Sequence, residues 1–341
     1  MSLVKYTVRR ILALIPILFG VLFMTFIMTR IMPGNPFMLI VGEHVTDSQL
    51  ATIAALEARY GLNEPILVQL WMYVQRLFSG DWGESLTLSK GTPVWTMILE
   101  VFPKTAELAI ISVGIATIVG IKAGISSAVN RNKRKDTFIR FFALMGVAIP
   151  VFWLGMILQY IFGYTLDILP TTNYWDVNMD DIPKITHFRL IDTLLAGNFA
   201  AWWDTVLHLI MPVFCLSYIY LAGITRQTRS SMLEVLELDY IRTARAKGCK
   251  EKDVINTHAK KNAMIPTVTI IGLGFGSLLT GAVLTETTFG LAGIGQLLID
   301  AIANSDYWVL NGLVFFFALV FISINLFTDV IYGILDPRIR Y

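Results

Sequence analysis

The sequence predicts an all-α integral membrane protein with six transmembrane helices and both termini in the cytoplasm. Three observations lead there. Charged residues make up only 15% of the 341-residue chain, and its mean hydropathy is +0.64. Apolar runs near twenty residues long recur along it, and a hydrocarbon core of about 30 Å is crossed by roughly that length of helix. Lys and Arg crowd into alternate connecting segments.

The expected spans are residues 11–32, 105–129, 137–163, 205–225, 264–285 and 308–333. Lipid leaves no water for backbone N–H and C=O groups, and the period-2 alternation of a membrane barrel is absent, so each span is read as a helix. The first run is too long for a signal peptide and lacks a small-residue cleavage site, so it is expected to remain as the first helix. Nineteen Lys and Arg lie in 5–10, 131–140, 226–261 and 338–340, against seven in the opposite segments. That bias puts the nineteen in the cytoplasm. The division is then a tail and first span (1–32), an extracytoplasmic helical segment (33–104) and a core of five spans (105–341). The core carries an outer loop at 164–204 and a cytoplasmic loop at 226–263.

In the outer segment Thr46 and Gln49 match a capping box, and Gly61 offers a stop, so 47–60 reads as a helix. Asn63 and Pro65 open a second helix, which Gly80 ends. Its Ile66, Leu67, Leu70, Trp71, Val74, Leu77 and Phe78 form a stripe at helical spacing, for the membrane surface or bundle or else for another protein. Trp175, Trp202 and Trp203 are expected as interface anchors. Gly120–Gly124 and Gly272–Gly276 allow helices to approach closely. Gly272, Gly274 and Gly276, with Gly281 beyond, also leave room for a solute pathway.

Reactive constellations are missing. The chain has no Walker A motif, no H-E-x-x-H, no G-x-S-x-G and no pair of C-x-x-C motifs. His44, His187, His208 and His258 are dispersed over different sides and depths, so no metal site is expected. Cys215 falls in a span and Cys249 in a cytoplasmic loop, so no disulfide is expected. No cofactor bound by this chain and no nucleic-acid partner is expected. Glu107, Glu286 and Asp329 lie near span ends, where they should be wet and structural. An ion-driven carrier would place such groups near the midplane.

The cytoplasmic loop is rich in helix signals. Ser231 with Glu234 makes a capping box, Asp239 is a second candidate cap, and Gly248 supplies a left-handed stop before a further helix over 251–262. Thr243, Ala244 and Ala246 keep parts of the surface low, between Tyr240, Ile241 and the longer Arg242, Arg245 and Lys247. A low surface rimmed by charge suits docking into a groove.

Tyr240 to Gly248, followed by His258, Asn262 and Pro266, resembles the cytoplasmic "EAA" loop of ABC importer permeases in its oligopeptide and dipeptide form. Arg242, Thr243 and Ala244 stand where the wider superfamily has Glu-Ala-Ala, so a contact made by that glutamate does not carry over. Further motifs resemble the B-type subunit: Arg9 and Arg10, Pro33-Gly34-Asn35-Pro36, Gly61 to Pro65, Gly80-Asp81-Trp82-Gly83 with Ser85, and Pro103 with Thr105. So do Glu286, Phe289, Gly293, Gly295, Asp306 and the ending Asp336-Pro337-Arg338. Asn35 and Asn63 replace a more usual Asp.

The resemblance implies a type I importer permease fold in the cell membrane, in contact with lipid. It implies a half-channel paired with a homologous C-type permease, two ABC ATPase subunits and an extracytoplasmic solute-binding protein. ATP and Mg2+ would then belong to the ATPases, and Tyr240, Arg242 to Gly248 would be the docking helix, supported by His258, Asn262 and Pro266. Di- and oligopeptides are the implied solutes, with oligosaccharides or nickel as alternatives. An ion-driven secondary carrier is the remote alternative.

Overall fold

The structure, a computed structural model, describes residues 3–31, 47–179, 181–280 and 282–335. Thr46, Gly281, the Pro33–Pro36 motif and the Asp336-Pro337-Arg338 ending lie outside the described residues. In chain order the helices are α1 Leu3–Ile31, α2 Asp47–Tyr60, α3 Ile66–Phe78, α4 Val94–Val129, α5 Arg134–Ala148, α6 Val151–Leu158 and α7 Arg189–Leu195. There follow α8 Phe199–Leu236, α9 Asp239–Ala246, the single turn α10 Glu251–Asp253, α11 Lys260–Leu279, α12 Val283–Phe289, α13 Ile294–Ala303 and α14 Tyr307–Leu335.

Four stretches are single helices long and apolar enough to cross a bilayer: α4, α8, the run Glu251–Leu279 and Tyr307–Ile331. The first expected span is α1, with its apolar stretch at Ile15–Ile27. The third differs from expectation. Instead of one rod over 137–163, α5 and α6 meet at a 100° bend. Pro150 is the cause: its ring disfavours helical geometry in the preceding residue, and Ile149 is extended at φ −85°, ψ 124°. The fifth also differs, since α11 ends at Leu279 and α12 is a separate helix.

The two longest helices pack together along the middle of the fold. At about 1.5 Å per residue, the 36 residues of α4 and 38 of α8 are each longer than the bilayer core is thick. The expected boundary at 104/105 therefore falls inside continuous helix. Gly120 and Gly124 permit the approach: a Cβ on Gly124 would stand 2.5 Å from Thr228 Cβ and 2.8 Å from the Thr225 carbonyl oxygen. Gly272 and Gly276 do the same against Thr328 and Ile324 of α14.

The outer segment shares a core with α1, α4, α13 and α14, built on Phe26, Tyr60, Tyr73, Leu77, Ile98 and Trp308. The expected α3 stripe divides. Leu77 is buried and Leu70 half-buried, whereas Ile66, Leu67, Trp71 and Phe78 stay exposed. Tyr73 and a buried Gln69 take the inward positions, because Gln69 Nε2 donates to the Leu62 and Glu64 carbonyls of the preceding turn. Trp175 is more than an anchor. The Arg189 guanidinium lies 4.3 Å from its ring centre and Lys104 Nζ 5.2 Å.

Buried carboxylates organise the outer half, which corrects the expectation that Glu107 and Glu286 are wet. Glu107 accepts from Tyr174 Oη at 2.6 Å and from the Arg189 and Leu190 N–H groups that start α7. Glu286 is fully buried and accepts from Thr105 Oγ1, the Gly295 N–H and the Gln296 N–H at the start of α13. A carboxylate here fills the role of a helix cap and complements the dipole. Gly293 and Gly295 make room, since a Cβ on Gly293 would fall 2.5 Å from the Glu286 carboxyl carbon. Asp306, also fully buried, accepts from Ser85 Oγ, Thr87 Oγ1 and the N–H groups of Leu86, Thr87 and Leu88. Asp329 is half-buried on α14.

The α4–α8 contact generates a prediction. Replacing Gly124 with Val forces side-chain and backbone atoms apart, and overpacking of this kind costs about 1–3 kcal/mol. Purified Gly124→Val is expected to melt several degrees below the parent in detergent. Gly114→Val is the control, because a Cβ there meets nothing within 4 Å.

Candidate functional site: the cytoplasmic elbow

α8 runs unbroken to Leu236, so Ser231 lies buried inside it instead of capping a new helix. A short turn leads into α9, with Leu238 in the cap position and Asp239 as the first helical residue. The helix expected at 251–262 is the beginning of the run that crosses the membrane. A π-helical turn at Val254–Ala259 joins α10 directly to α11. The expected loop 226–263 thus contracts to an elbow of about 237–250 set between two long helices.

The corner is a completed helix stop. Gly248 has φ +80°, its N–H donates to the Arg245 carbonyl, and the Cys249 N–H donates to the Ala244 carbonyl. These two bonds satisfy carbonyls that a helix end otherwise leaves open. A side chain at Gly248 would meet nothing within 4 Å, so glycine is required by backbone conformation and not by space.

One face of α9 is pinned down. Ile241 and Ala244 bury against Met232 and Val235 of α8, Ala128 of α4, and Val254, Ala259 and Ala263 of the following helix. Ala244, expected on the docking surface, is therefore turned inward. The other face remains open: Tyr240, Arg242, Thr243, Arg245, Ala246, Lys247 and Gly248 are exposed.

Polar bonds brace the joint. Asn262 Nδ2 donates to Tyr240 Oη at 2.8 Å, and that hydroxyl approaches the His258 carbonyl oxygen at 3.5 Å. The structure thus brings three of the motif positions together. Pro266 sits exposed inside α11, where its ring leaves the Asn262 carbonyl without its usual helical donor. Arg245 spans the glycine corner to Glu251 with two bonds, Nε to Oε2 at 3.1 Å and Nη2 to Oε1 at 2.7 Å. The guanidinium holds the Glu251 carboxyl below its ordinary value, and the carboxylate raises Arg245 in return. Both groups are well exposed, so the pair orients the corner more than it stabilises it.

A second brace was not foreseen from the sequence. Asp136, fully buried, receives Arg229 Nε at 2.8 Å and Nη2 at 2.9 Å, together with Ser127 Oγ and the Asn132 N–H. It ties the start of α5 to the cytoplasmic end of α8. The available signal was a lone acid within the basic run RNKRKDTFIR. Of the glycines considered for a pathway, Gly272 and Gly276 abut α14, and Gly274 faces the Tyr220 ring of α8. Among the described residues no cluster of His, Cys, Asp and Glu suits a metal, and Cys215 and Cys249 are free.

Comparison with known proteins gives two family matches. Residues 120–341 match the binding-protein-dependent transport system inner membrane component, and residues 3–109 match the N-terminal region of such membrane components. The chain is 43% identical over 339 residues to the dipeptide transport system permease protein DppB of Alkalihalophilus pseudofirmus, covering 99% of this chain and 100% of that one. It is 42% identical to the di/tripeptide transport system permease protein DppB of Pseudomonas aeruginosa over 339 residues, with 99% of each covered. The Escherichia coli K12 dipeptide transport system permease protein DppB is 40% identical over 341 residues, again with 99% of each covered. Among solved structures, an inward-facing MetNI methionine ABC transporter chain superposes with TM-score 0.54 at 12% identity, over 71% of this chain and 97% of that one, a likeness of fold.

The brace at Tyr240 can be tested by itself. Tyr240→Phe keeps the ring but removes the hydroxyl shared with Asn262, a loss of about 1 kcal/mol for such a bond. Backbone hydrogen exchange across 239–248 is expected to quicken roughly five-fold. Exchange in α4 should not change.

Proposed function

This chain belongs to the family of binding-protein-dependent transport system inner membrane components, and from that premise we propose that it is the permease subunit of an ATP-driven importer of di- and oligopeptides. Membership makes it a multi-pass membrane transport subunit and not an enzyme. Peptide as the solute is supported by relatives at 40–43% identity over nearly the whole chain, all named for dipeptide or di/tripeptide transport.

In this reading the exposed face of α9, with Tyr240, Arg242, Thr243, Arg245, Ala246 and Lys247, seats in a groove on a cytoplasmic ABC ATPase. Ala244 supports that face from beneath. Two such ATPases bind ATP and Mg2+, a homologous C-type permease completes the pathway, and an extracytoplasmic binding protein delivers the solute. The observation that carries the mechanism is the continuity of α8 and α11 into the elbow. When the ATPases close and displace α9, no loose joint absorbs the movement before it reaches the membrane. Gly272, Gly274 and Gly276 keep α11 close to α14 and to Tyr220, so displacement of α11 is passed on to its neighbours and opens the path to alternate sides.

An ion-driven carrier is disfavoured by the placement of acids. Glu107 and Glu286 are committed to hydrogen bonds that start α7 and α13, so ion release and uptake there would dismantle the outer half.

Gly248→Val tests the coupling. A β-branched residue in a left-handed conformation costs about 1 kcal/mol or more and re-aims the helix that follows. In the reconstituted transporter this variant is expected to insert normally yet lose solute-stimulated ATP hydrolysis; full stimulation would contradict the proposal. Tyr240→Ala is expected to reduce recovery of the ATPase with the membrane subunit, and undiminished recovery would remove Tyr240 from the docking face.

A further inference from the structure

A cavity of about 520 Å³ lies at the cytoplasmic end of the bundle between α5 and α8, with Ser127 of α4 and Ile270 of α11 also lining it. Asp136, Arg140 and Ala143 occupy one stripe of α5 at spacings of four and three, and Asp136 and Ala143 are buried against the bundle. Arg140, between them, is nevertheless exposed. On the facing side of α8 stands Gly223, where an added Cβ would meet nothing within 4 Å.

The lining is divided by chemistry. Ala143, Leu144, Gly223 and Ile270 form an apolar part, and Arg140, Arg226 and Arg229 a cationic one. Arg229 is spent on Asp136 through its two short bonds. Arg140 and Arg226 have no ion pair or hydrogen bond within the chain among the described residues. Two uncompensated guanidinium groups therefore share one cleft. Arg140 stands six residues above the start of α5, about 9 Å along the axis, and Arg226 follows directly on the apolar run 205–225. Measured against the expected spans 137–163 and 205–225, both positions fall near the cytoplasmic boundary of the bilayer.

We propose that this cavity is a binding site for an anionic phospholipid of the cytoplasmic leaflet, whose phosphate is gripped by Arg140 and Arg226 while an acyl chain lies against Leu144 and Ile270. Guanidinium forks match phosphate oxygens, and basic pockets between membrane helices at the cytoplasmic side suit anionic headgroups. A zwitterionic choline headgroup brings a cation into a cleft that already holds two uncompensated ones, so the site discriminates by charge. Because Arg229, held by Asp136, forms part of its wall, the bound lipid would lie against the brace that joins α5 to the elbow-bearing end of α8. The inference concerns this cleft alone and does not depend on the peptide reading.

The test uses the full chain in the assembly it forms in its native membrane, exchanged into nanodiscs of mixed phosphatidylglycerol and phosphatidylcholine. Lipid retained after detergent extraction is counted by native mass spectrometry. The parent should retain phosphatidylglycerol selectively. Arg140→Gln with Arg226→Gln removes the charge and is expected to cut that retention about thirty-fold, as the loss of roughly 1 kcal/mol from each of two basic residues implies; Gly223→Leu fills the space without touching the charge and is expected to cut retention as well. Lys135→Gln, which lies outside the cleft, should leave retention unchanged. Equal retention in parent and both cleft variants overturns the proposal. Displacement of the lipid by millimolar inorganic phosphate, with no preference between the two lipids, would assign the cleft to a soluble anion and overturn it as well.

Discussion

The cytoplasmic architecture depends on a small hydrophobic seat. Ile241 and Ala244 press α9 onto the ends of α4, α8 and the helix that becomes α11, and the seat is filled almost entirely by small or aliphatic side chains. Without it, α9 would be eight residues of solvated helix, too short to hold its shape in water alone. With it, the charged face is fixed in direction. Gly248 then closes the helix, Tyr240 ties it to Asn262, and Arg245 reaches across the corner to Glu251. Each of these would be a weak local interaction in a free loop; seated, they define one geometry.

The opposite side of the membrane solves a different problem. There the chain is cut into short pieces, and every short helix leaves N–H groups that burial inside the protein cuts off from water. Glu107, Glu286 and Asp306 supply acceptors at those places, reaching the starts of α7 and α13 and the turn at 86–88. Ionisable residues at membrane depth are functional candidates by default. In this chain their work is structural, because they hold the starts of the short outer helices and the turn at 86–88 in place.

Much of this was legible in the residues. The low charge and the Lys/Arg asymmetry gave the membrane class and the orientation, and Gly61, Gly80 and Gly248, marked as helix stops, all have positive φ. Where the reading failed, longer-range packing overruled a local signal. Ser231 and Glu234 look like a cap, but Ser231 is buried in a helix whose contacts with α4 and α11 carry it onward. Pro150 was visible, yet the length of the apolar run concealed that it separates two helices at 100°. The Asp136–Arg229 pair joins residues 93 positions apart, and the Asp306 cradle joins residues some 220 apart. No local pattern encodes a partner at that distance.

The central claim is that the elbow moves as one body with α8. Spin labels at Lys250 and at Glu234, both exposed, would report this through their distance distribution in the assembled transporter with and without ATP. A single narrow distribution, unchanged by nucleotide, is predicted. A distribution that shifts or broadens when ATP binds would show that the joint yields, and would contradict rigid transmission into the membrane.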